Sequence, residues 1–121
     1  SGCDIAMDAL DGVESRLVLQ QACEEAGIPM VHGAISGWYG QVSTIFPGER
    51  TLSIIYSGFE DRKTDNRLGN PSFTPALTAS LQVSEALKIM ISRGSLLRGR
   101  IMFINTYDNS VDIAELSKRQ I

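Results

Sequence analysis

The chain has 121 residues, of which 43% are hydrophobic and 21% charged, the composition of one ordinary globular domain. Its net charge of −3 and its scattered basic residues argue against a nucleic-acid-binding surface. No apolar run approaches the roughly 20 residues of a membrane span. The two cysteines, Cys3 and Cys23, do not have the spacing of a metal site, and they are too few to suggest a disulfide-stabilised fold. We therefore expect a cytoplasmic protein with reduced, buried cysteines.

The first part of the chain predicts a strand, a helix and a second strand. Residues 3–10 are mostly apolar, as in a buried parallel strand. Residues 12–26 have helical spacing, and Gly27 and Pro29 end the helix. Its predicted apolar face comprises Leu19, Ala22, Cys23 and Ala26. The stretch IPMVHGAI predicts the next strand, and the tight joints imply a right-handed crossover with parallel pairing.

A hairpin is predicted next, from the stretches QVSTIF and TLSIIYSGF with a Pro47-Gly48 turn between them. Just before it, Trp38 and Tyr39 lie between glycines. This pattern indicates either a surface binding patch or a hairpin corner whose aromatic rings cover the sheet edge. Residues 60–72 are polar and rich in turn formers, which predicts a loop.

A second helix is predicted from Thr74, as a cap followed by Pro75 in the first turn, to Gly94. Its predicted buried stripe comprises Ala76, Ser80, Val83, Leu87, Met90 and Ile91. The stretches RGRIMFINTYD and SVDIAEL predict two closing strands joined at DNS. Two helices and about six strands indicate a mixed sheet with helices packed against it, which upstream residues or a partner chain would complete.

Two aspartates, Asp8 and Asp11, lie where the first strand passes into the first helix, a position that often faces a ligand in α/β proteins. Asp11 and Glu14 have the spacing of a capping box, so Asp11 can cap the helix. Asp11 can instead bind magnesium, which takes one or two carboxylates together with phosphate oxygens. The motifs GxGxxG and GxxxxGK[ST] are absent, so part of any nucleotide site must lie outside these residues.

Nucleophilic catalysis has little support in this sequence. His32 is the single histidine and lies in a predicted strand, so we expect a core histidine with satisfied hydrogen bonds rather than a general base. Cys23 lies on the predicted apolar helix face, which favours packing over chemistry.

The order of these elements resembles the ThiF/MoeB/HesA family, the ubiquitin-activating-enzyme-type adenylyltransferases. The stretch DALDGVESR resembles a D-x-x-D-[NS]-x-x-x-R segment that follows a strand, and IPMVHGAISGWYGQV with its Pro-Gly turn follows as in the family. The stretch NPSFTPALTASLQVSEALKIM resembles the family's later helix, and LLRGRIMFINTYDNSVDIAEL resembles its closing hairpin. The resemblance covers nearly the whole chain.

The resemblance implies a Rossmann-like mixed α/β sheet, parallel in its first half and antiparallel afterwards, in which residues 1–121 form the C-terminal part of a single adenylation domain. It implies that Mg-ATP adenylylates the C terminus of a small ubiquitin-like sulfur carrier protein, and that the enzyme is a homodimer. Asp11 matches the family's aspartate linked to magnesium and ATP, and is the predicted catalytic residue and Mg²⁺ ligand. Asp8 and Arg16 match the preceding acid and the arginine of the same segment, and are predicted to belong to the ATP site.

Several family features are missing from the 121 residues. The glycine-rich loop, the phosphate-binding arginines and the catalytic lysine lie upstream of the matched segment, so this chain alone is expected to be inactive. The cysteine pairs of the zinc-binding members are absent, which predicts no structural zinc, and residues 60–72 contain no cysteine for transthiolation.

Two other functions remain open at this point. The first is a non-catalytic partner-binding or dimerisation module in which Asp11 only caps a helix. The second is a different nucleotide-dependent activity such as tRNA modification, against which the low basic charge argues.

Overall fold

The computed structural model describes residues 5–8, 12–56 and 72–116. The elements in chain order are β1 (Ala6–Met7), α1 (Val13–Ala26), β2 (Met30–Ser36), β3 (Tyr39–Ile45), α2 (Thr51–Tyr56), α3 (Phe73–Ile91), β4 (Arg100–Asn105) and β5 (Ser110–Glu115).

The described strands form one five-stranded sheet in the order β1-β2-β3-β4-β5. Strand β1 runs parallel to β2, with Ala6 opposite Met30, and every later pair is antiparallel. This confirms the predicted mixed sheet, parallel first and antiparallel afterwards. The hairpin turn between β2 and β3 lies at Gly37 and Trp38.

Helices cover both faces of the sheet. Helices α1 and α2 pack on one face over a core of Cys23, Met30, Ile45, Leu52, Ile55, Ile101 and Leu116. Helix α3 packs on the other face over Val31, Val42, Leu97 and Ile104. Consecutive residues of β2 therefore contribute to opposite cores, which explains why its sequence is apolar without clear alternation.

The predicted strand over residues 51–59 is wrong for its described part, because Thr51–Tyr56 form helix α2. Leu52 and Ile55 are buried together although they are three residues apart, a spacing that a strand would point to opposite faces. The side chain of Gln20 in α1 accepts a hydrogen bond from the Leu52 amide at 2.9 Å and so satisfies the first turn of α2. The predicted hairpin does not form, since β3 pairs with β2 and β4.

The predicted limits and apolar face of α1 are only partly right. The helix ends as expected at Gly27, whose left-handed φ of 71° suits a glycine C-cap. Cys23 is buried and Leu19 half-buried, but Ala22 and Ala26 are exposed. Gln20 takes the inward position because its side chain bonds to α2. The predicted loop over residues 60–72 lies outside the described residues, apart from its last one.

Helix α3 begins one residue before the predicted cap and ends before the predicted glycine. Ser72 is at the N-cap position, and Thr74 is buried in the first turn instead of capping it. Ser92 ends the helix in a left-handed conformation with φ 54°, ahead of Gly94.

The predicted buried stripe of α3 is wrong. All of its members are exposed: Ala76, Ser80, Val83, Leu87, Met90 and Ile91. The fully buried residues of α3 are polar: Thr74, Thr78, Gln82 and Glu85. The apolar residues of the helix that pack against the core are partly buried: Leu81, Ala86 and Ile89.

Two glycines in the sheet explain how polar side chains fit beneath α3. A Cβ atom at Gly33 would occupy the space of the Gln82 carboxamide, and one at Gly40 would collide with the Thr78 hydroxyl. Gln82 Nε2 uses this space to donate hydrogen bonds to the carbonyls of Asp8, at 3.0 Å, and Val31, at 3.2 Å. Gly33 thus makes room for hydrogen bonds between α3 and the sheet, and Gly40 makes room for the Thr78 side chain.

Glu85 makes the second polar connection between α3 and the sheet. Its Oε1 accepts hydrogen bonds from Thr44 Oγ1 at 2.8 Å and from the Leu97 amide at 2.7 Å, and Lys88 forms an ion pair with it. A buried carboxylate is tolerated only with such partners. Gln82 and Glu85 take inward positions on α3 through these hydrogen bonds, which the apolar period of the sequence does not predict.

Replacing Gly33 by Ala should lower the free energy of unfolding by about 1–3 kcal/mol, since the new methyl group overlaps the Gln82 side chain. Urea unfolding of Gly33→Ala, Gln82→Ala and the double variant tests this. We expect the double variant to lose clearly less free energy of unfolding than the two single variants lose together. Strict additivity would show that the two residues do not compete for the same space.

Candidate functional site

The carboxyl end of β1 and the beginning of α1 form the candidate site. Asp8 follows β1 directly, and His32 lies beside it on β2, on the sheet face that α1 and α2 cover. Both side chains are buried: Asp8 is 1% exposed and His32 0%. The acid that the sequence placed at this strand end therefore faces the interior of the protein.

A closed ring of polar side chains surrounds Asp8. Asp8 Oδ2 accepts a hydrogen bond of 2.6 Å from His32 Nδ1, and His32 Nε2 lies 2.9 Å from Gln41 Nε2. Gln41 Nε2 also donates to the Tyr56 hydroxyl at 3.1 Å, and that hydroxyl is hydrogen-bonded to the Arg16 side chain. Arg16 Nε completes the ring by an ion pair of 3.2 Å with Asp8 Oδ2. We call these five side chains the Asp8 ring.

The partners assign one protonation state to His32. The carboxamide nitrogen of Gln41 can only donate, so His32 Nε2 must be the acceptor and Nδ1 must carry the proton that Asp8 receives. Burial lowers the pKa of His32 below its ordinary value. The Asp8 carboxylate opposes this shift, and Arg16 adds to it. His32 is a neutral core histidine with both ring nitrogens paired, which confirms the sequence prediction.

Arg16 connects the first turns of α1 to the ring. Its side chain is 12% exposed, and its backbone amide bonds to the Gly12 carbonyl at the start of the helix. The buried guanidinium neutralises the charge of Asp8, as a carboxylate at this depth requires. Burial also raises the pKa of Tyr56, so its hydroxyl stays protonated at neutral pH.

The backbone of Asp8 is fixed as firmly as its side chain. Its amide donates to the Val31 carbonyl at 2.9 Å, and its carbonyl accepts the Gln82 bond from the opposite layer. All three polar groups of this residue therefore have partners from β2, α1 or α3.

The described part of the chain does not include every predicted site residue. Asp11 lies outside the described residues, so its assignment as Mg²⁺ ligand stays a prediction. Gly12, not Asp11, is at the N-cap of α1, and Glu14 is exposed, so the helix does not have the register of the predicted capping box. The assignment of Asp8 and Arg16 to the ATP site also stays a prediction.

Gln41, Tyr56 and Gln82 were not anticipated as site residues. His32 and Gln41 share a sheet face because β2 pairs with β3 in a register that puts His32 opposite Ser43 and Ala34 opposite Gln41. A hairpin predicted around Gly37 would have revealed this pair. Tyr56 was missed because its segment was predicted as a strand.

The aromatic residues of the β2–β3 turn form a corner. Trp38 makes edge contacts with Phe73, at a centroid distance of 4.9 Å, and with Tyr107, at 5.5 Å. This favours the hairpin-corner interpretation over a free binding patch.

Among the described residues, no three His, Cys, Asp or Glu side chains are grouped as metal ligands. The predicted absence of zinc stays a prediction. Cys23 is buried and free, and burial raises its pKa, so this thiol is not activated as a nucleophile. None of the described helices is long and apolar enough to cross a bilayer.

The architecture defines a Rossmann-like α/β class, in which the parallel strand β1 is followed directly by helix α1. The chain belongs to the ThiF family, whose model matches residues 1–120. It is 31% identical over 114 residues to a SAMP-activating enzyme E1 of Haloferax volcanii, covering 89% of this chain and 41% of the relative. It is 43% identical over 88 residues to the sulfur carrier protein ThiS adenylyltransferase of Bacillus subtilis, covering 71% of this chain and 26% of the relative.

Solved structures agree on the fold. Escherichia coli MccB with ATP superposes with a TM-score of 0.66 at 13% identity, over 93% of this chain and 36% of that one. PaaA superposes with a TM-score of 0.66 at 11% identity, over 96% of this chain and 36% of that one. The chain thus spans less than half the length of the relatives it matches.

The stability of the protein should fall as the pH drops from about 7 towards 5.5. Because the folded state lowers the pKa of His32, the unfolded chain binds the proton first, near pH 6.5. The stability contributed by the neutral His32 imidazole is therefore complete above that pH, and it is lost as the pH falls through the pKa of His32 in the folded protein. The slope for one proton is at most about 1.4 kcal/mol per pH unit.

Urea unfolding between pH 5.5 and 7.5 measures this slope. The control is His32→Asn, which keeps a donor towards Asp8 but has no titrating group, so its stability should be nearly flat over this range. His32 is the single histidine of the chain, which makes the comparison specific. An equal slope in both proteins would assign the effect to other groups.

Proposed function

We propose that this chain is the C-terminal part of an adenylation domain that uses Mg-ATP to adenylylate the C-terminal carboxylate of a small ubiquitin-like sulfur carrier protein. The support is the family membership over residues 1–120 together with relatives named as activating enzymes or adenylyltransferases. The expected cytoplasmic location belongs to the same proposal.

The observation that carries this proposal is the construction of the β1–α1 junction. The parallel strand β1 ends at Asp8, whose buried carboxylate pairs with Arg16 and His32. Asp11 follows three residues later in the sequence, before helix α1 begins. Carboxyl ends of parallel strands are where α/β proteins bind nucleotides. A binding module that needed only a capped helix would gain nothing from burying Asp8 and Arg16 at this point.

The acidic residues of this junction suit a single magnesium contact. Mg²⁺ takes one or two carboxylates and completes its shell with phosphate oxygens and water. The Asp8 carboxylate is already held by His32 and Arg16, which leaves Asp11 as the acid to contact Mg²⁺-ATP. Asp8 and Arg16 would then support the ATP site from behind.

In the reaction, the chain's residues orient the nucleotide while the carrier carboxylate attacks the α-phosphorus and pyrophosphate leaves. Bound Mg²⁺ supplies charge neutralisation on the phosphates. Asp11 would hold that charge in place, and the Asp8 ring would keep the junction in one position. The phosphate-binding groups of the glycine-rich loop would come from residues outside this chain.

The exposed side of α3 supports a homodimer as the second part of the proposal. Six large apolar side chains on this helix are between 40% and 64% exposed, and we call them the apolar face of α3: Phe73, Leu77, Val83, Leu87, Met90 and Ile91. Contiguous apolar surface of this kind marks an interaction site. A second copy would offer the same face in a two-fold arrangement.

Asp11→Asn should abolish the activity of the complete adenylation domain. Carrier-dependent exchange of pyrophosphate into ATP should fall at least about 100-fold, because Asn cannot neutralise Mg²⁺, although it caps helices as well as Asp does. Glu14→Gln is the matched control, since Glu14 is exposed in the same segment and its change should have little effect. Full exchange by Asp11→Asn, or no exchange by the wild type, would refute the proposal.

Sedimentation analysis tests the dimer on the same protein. We expect a dimer for the wild type and a monomer for the combined Leu87→Glu and Met90→Glu variant, because charges in an apolar interface are costly. Val18→Glu is the control, since Val18 is an apolar residue of α1 that is 65% exposed. A monomeric wild type would indicate that the rest of the polypeptide covers the apolar face of α3.

A further inference from the structure

We propose that a groove beside helix α3 binds an amphipathic helix of a partner protein, whose apolar face is bordered by acidic side chains. The groove lies between α3 and strands β4 and β5, and we call it the α3–β5 groove. Its lining includes Leu81, Lys88, Leu97, Arg100, Met102 and Ile113. This inference goes beyond the proposed adenylylation and does not depend on it.

The first argument is that α3 leaves part of its sheet face uncovered. The helix packs on β2 and β3. The register places Met102 opposite Ile113 and Ile104 opposite Val111, so these four side chains share one face of the sheet. Met102 and Ile104 pack against the core beneath α3, whereas Val111 and Ile113 are 59% and 50% exposed. The apolar surface of the sheet therefore continues past α3 onto β5.

The second argument is the size and lining of the groove. A cavity of about 210 Å³ lies between Leu81 of α3 and Ile113 of β5, with Leu97 and Met102 also in its wall. Small-molecule sites usually have roughly 300–1,000 Å³ and bury most of the ligand. The α3–β5 groove is smaller, and its wall includes the half-exposed Ile113, so it suits the side chains of a larger partner better than a small molecule.

The third argument concerns the backbone of the occupant. Apolar side chains offer no partners to buried backbone N–H and C=O groups, which must nevertheless be hydrogen-bonded. A helix satisfies these groups within itself, whereas an isolated extended segment on this surface would not. Helices pack side by side with their axes about 8–10 Å apart. A helix next to α3 would thus extend the helical layer over β4 and β5.

The fourth argument is the charge of the groove. The buried Glu85 carboxylate is already paired with Lys88, whose side chain is 31% exposed. Arg100 Nη2 donates to the Leu96 carbonyl at 2.7 Å, and a guanidinium has further N–H donors. Glu115 lies opposite Arg100 in the register but does not line the cavity. In a chain of net charge −3, this groove presents two cations, which favours acidic side chains on the partner.

A second copy of this chain does not offer the required helix among the residues that the structure describes. On α3, Glu85 is the single acidic residue, and it is buried. On α1, Glu14 and Glu25 are exposed, but Val18 is the one exposed large apolar side chain among those described. The six-residue α2 contains no acid. Charge and apolar surface together therefore favour a different protein.

The test is a titration of the isotope-labelled 121-residue chain with a synthetic helix, followed by nuclear magnetic resonance. The probe is an acetylated and amidated peptide of about 15 residues, a length at which an isolated helix becomes stable in water. It contains only leucine, alanine and glutamate, with the leucines on one face and the glutamates along both edges of that face. We expect saturable shifts of the amide signals of Leu81, Lys88, Met102 and Ile113. A peptide with glutamine in place of glutamate should bind about tenfold more weakly, because two surface ion pairs are lost.

Substitutions in the groove test the location of the site. Ile113→Asp should abolish the saturable shifts, because it removes an apolar contact and adds a charge of the same sign as that of the peptide. Arg100→Gln should weaken binding about threefold, the effect of one surface ion pair, and it serves as the second variant if Ile113→Asp does not fold. Circular dichroism confirms folding of each variant.

Arg98→Gln and Val18→Asp are the matched controls. Arg98 is two residues from Arg100 but pairs with Glu49, and Val18 is an exposed apolar residue of α1. Neither residue lines the groove, so both variants should bind the peptide as the wild type does.

No saturable binding by the wild type, equal binding of the glutamine peptide, or unchanged binding by folded Ile113→Asp and Arg100→Gln would each overturn the inference. Sedimentation of the chain alone adds a further check, because a dimer that Ile113→Asp converts to a monomer would assign the groove to a second copy. If the chain binds the peptide and the complete adenylation domain does not, its own polypeptide covers the groove, which also contradicts a partner protein. These measurements use no nucleotide and no carrier protein, so failure of the proposed function leaves their outcome unchanged.

Discussion

The buried carboxylate of Asp8 is the constraint on which the surrounding structure depends. A charge at this depth needs a cation and hydrogen-bond donors, and Arg16 and His32 supply them at 3.2 and 2.6 Å. The second ring nitrogen of His32 accepts a hydrogen bond from Gln41 on the next strand, and Gln41 also donates to the Tyr56 hydroxyl. The ring around this one carboxylate thus connects β2, β3, α1 and α2 to the end of β1.

On the opposite face of the sheet, two buried polar side chains of α3 add hydrogen bonds to an apolar core. Glu85 and Gln82 reach from α3 to backbone groups of the sheet and of the loop before β4. Gly33 and Gly40 provide the room for this polar side of the helix. The fully buried residues of α3 are polar and six of its large apolar side chains are exposed, which ordinary amphipathic patterning does not predict.

The relation to the ThiF family gives these features a functional context. The two relatives named above are about two to three times as long as this chain, and their names are those of an activating enzyme and an adenylyltransferase. The described residues contain the junction after a parallel strand and the exposed apolar face of α3, on which the proposed function draws.

The sequence by itself determined the class of the fold. Local sequence patterns predict three of its features without knowledge of tertiary contacts: the apolar strands β2 and β3, the glycine that ends α1 and the turn before β5. The resemblance placed Asp8 and Arg16 in one segment, and the structure brings them together.

Only the tertiary structure decided the rest. Thr51–Tyr56 is helical because Gln20 of another helix satisfies its first turn, and the buried face of α3 is polar because glycines of two strands make room for it. The ring around Asp8 joins residues up to 48 positions apart, from Asp8 to Tyr56. Strand register and the packing of helices on the sheet decide which side chains become partners of Asp8, and local sequence patterns do not reveal either of them.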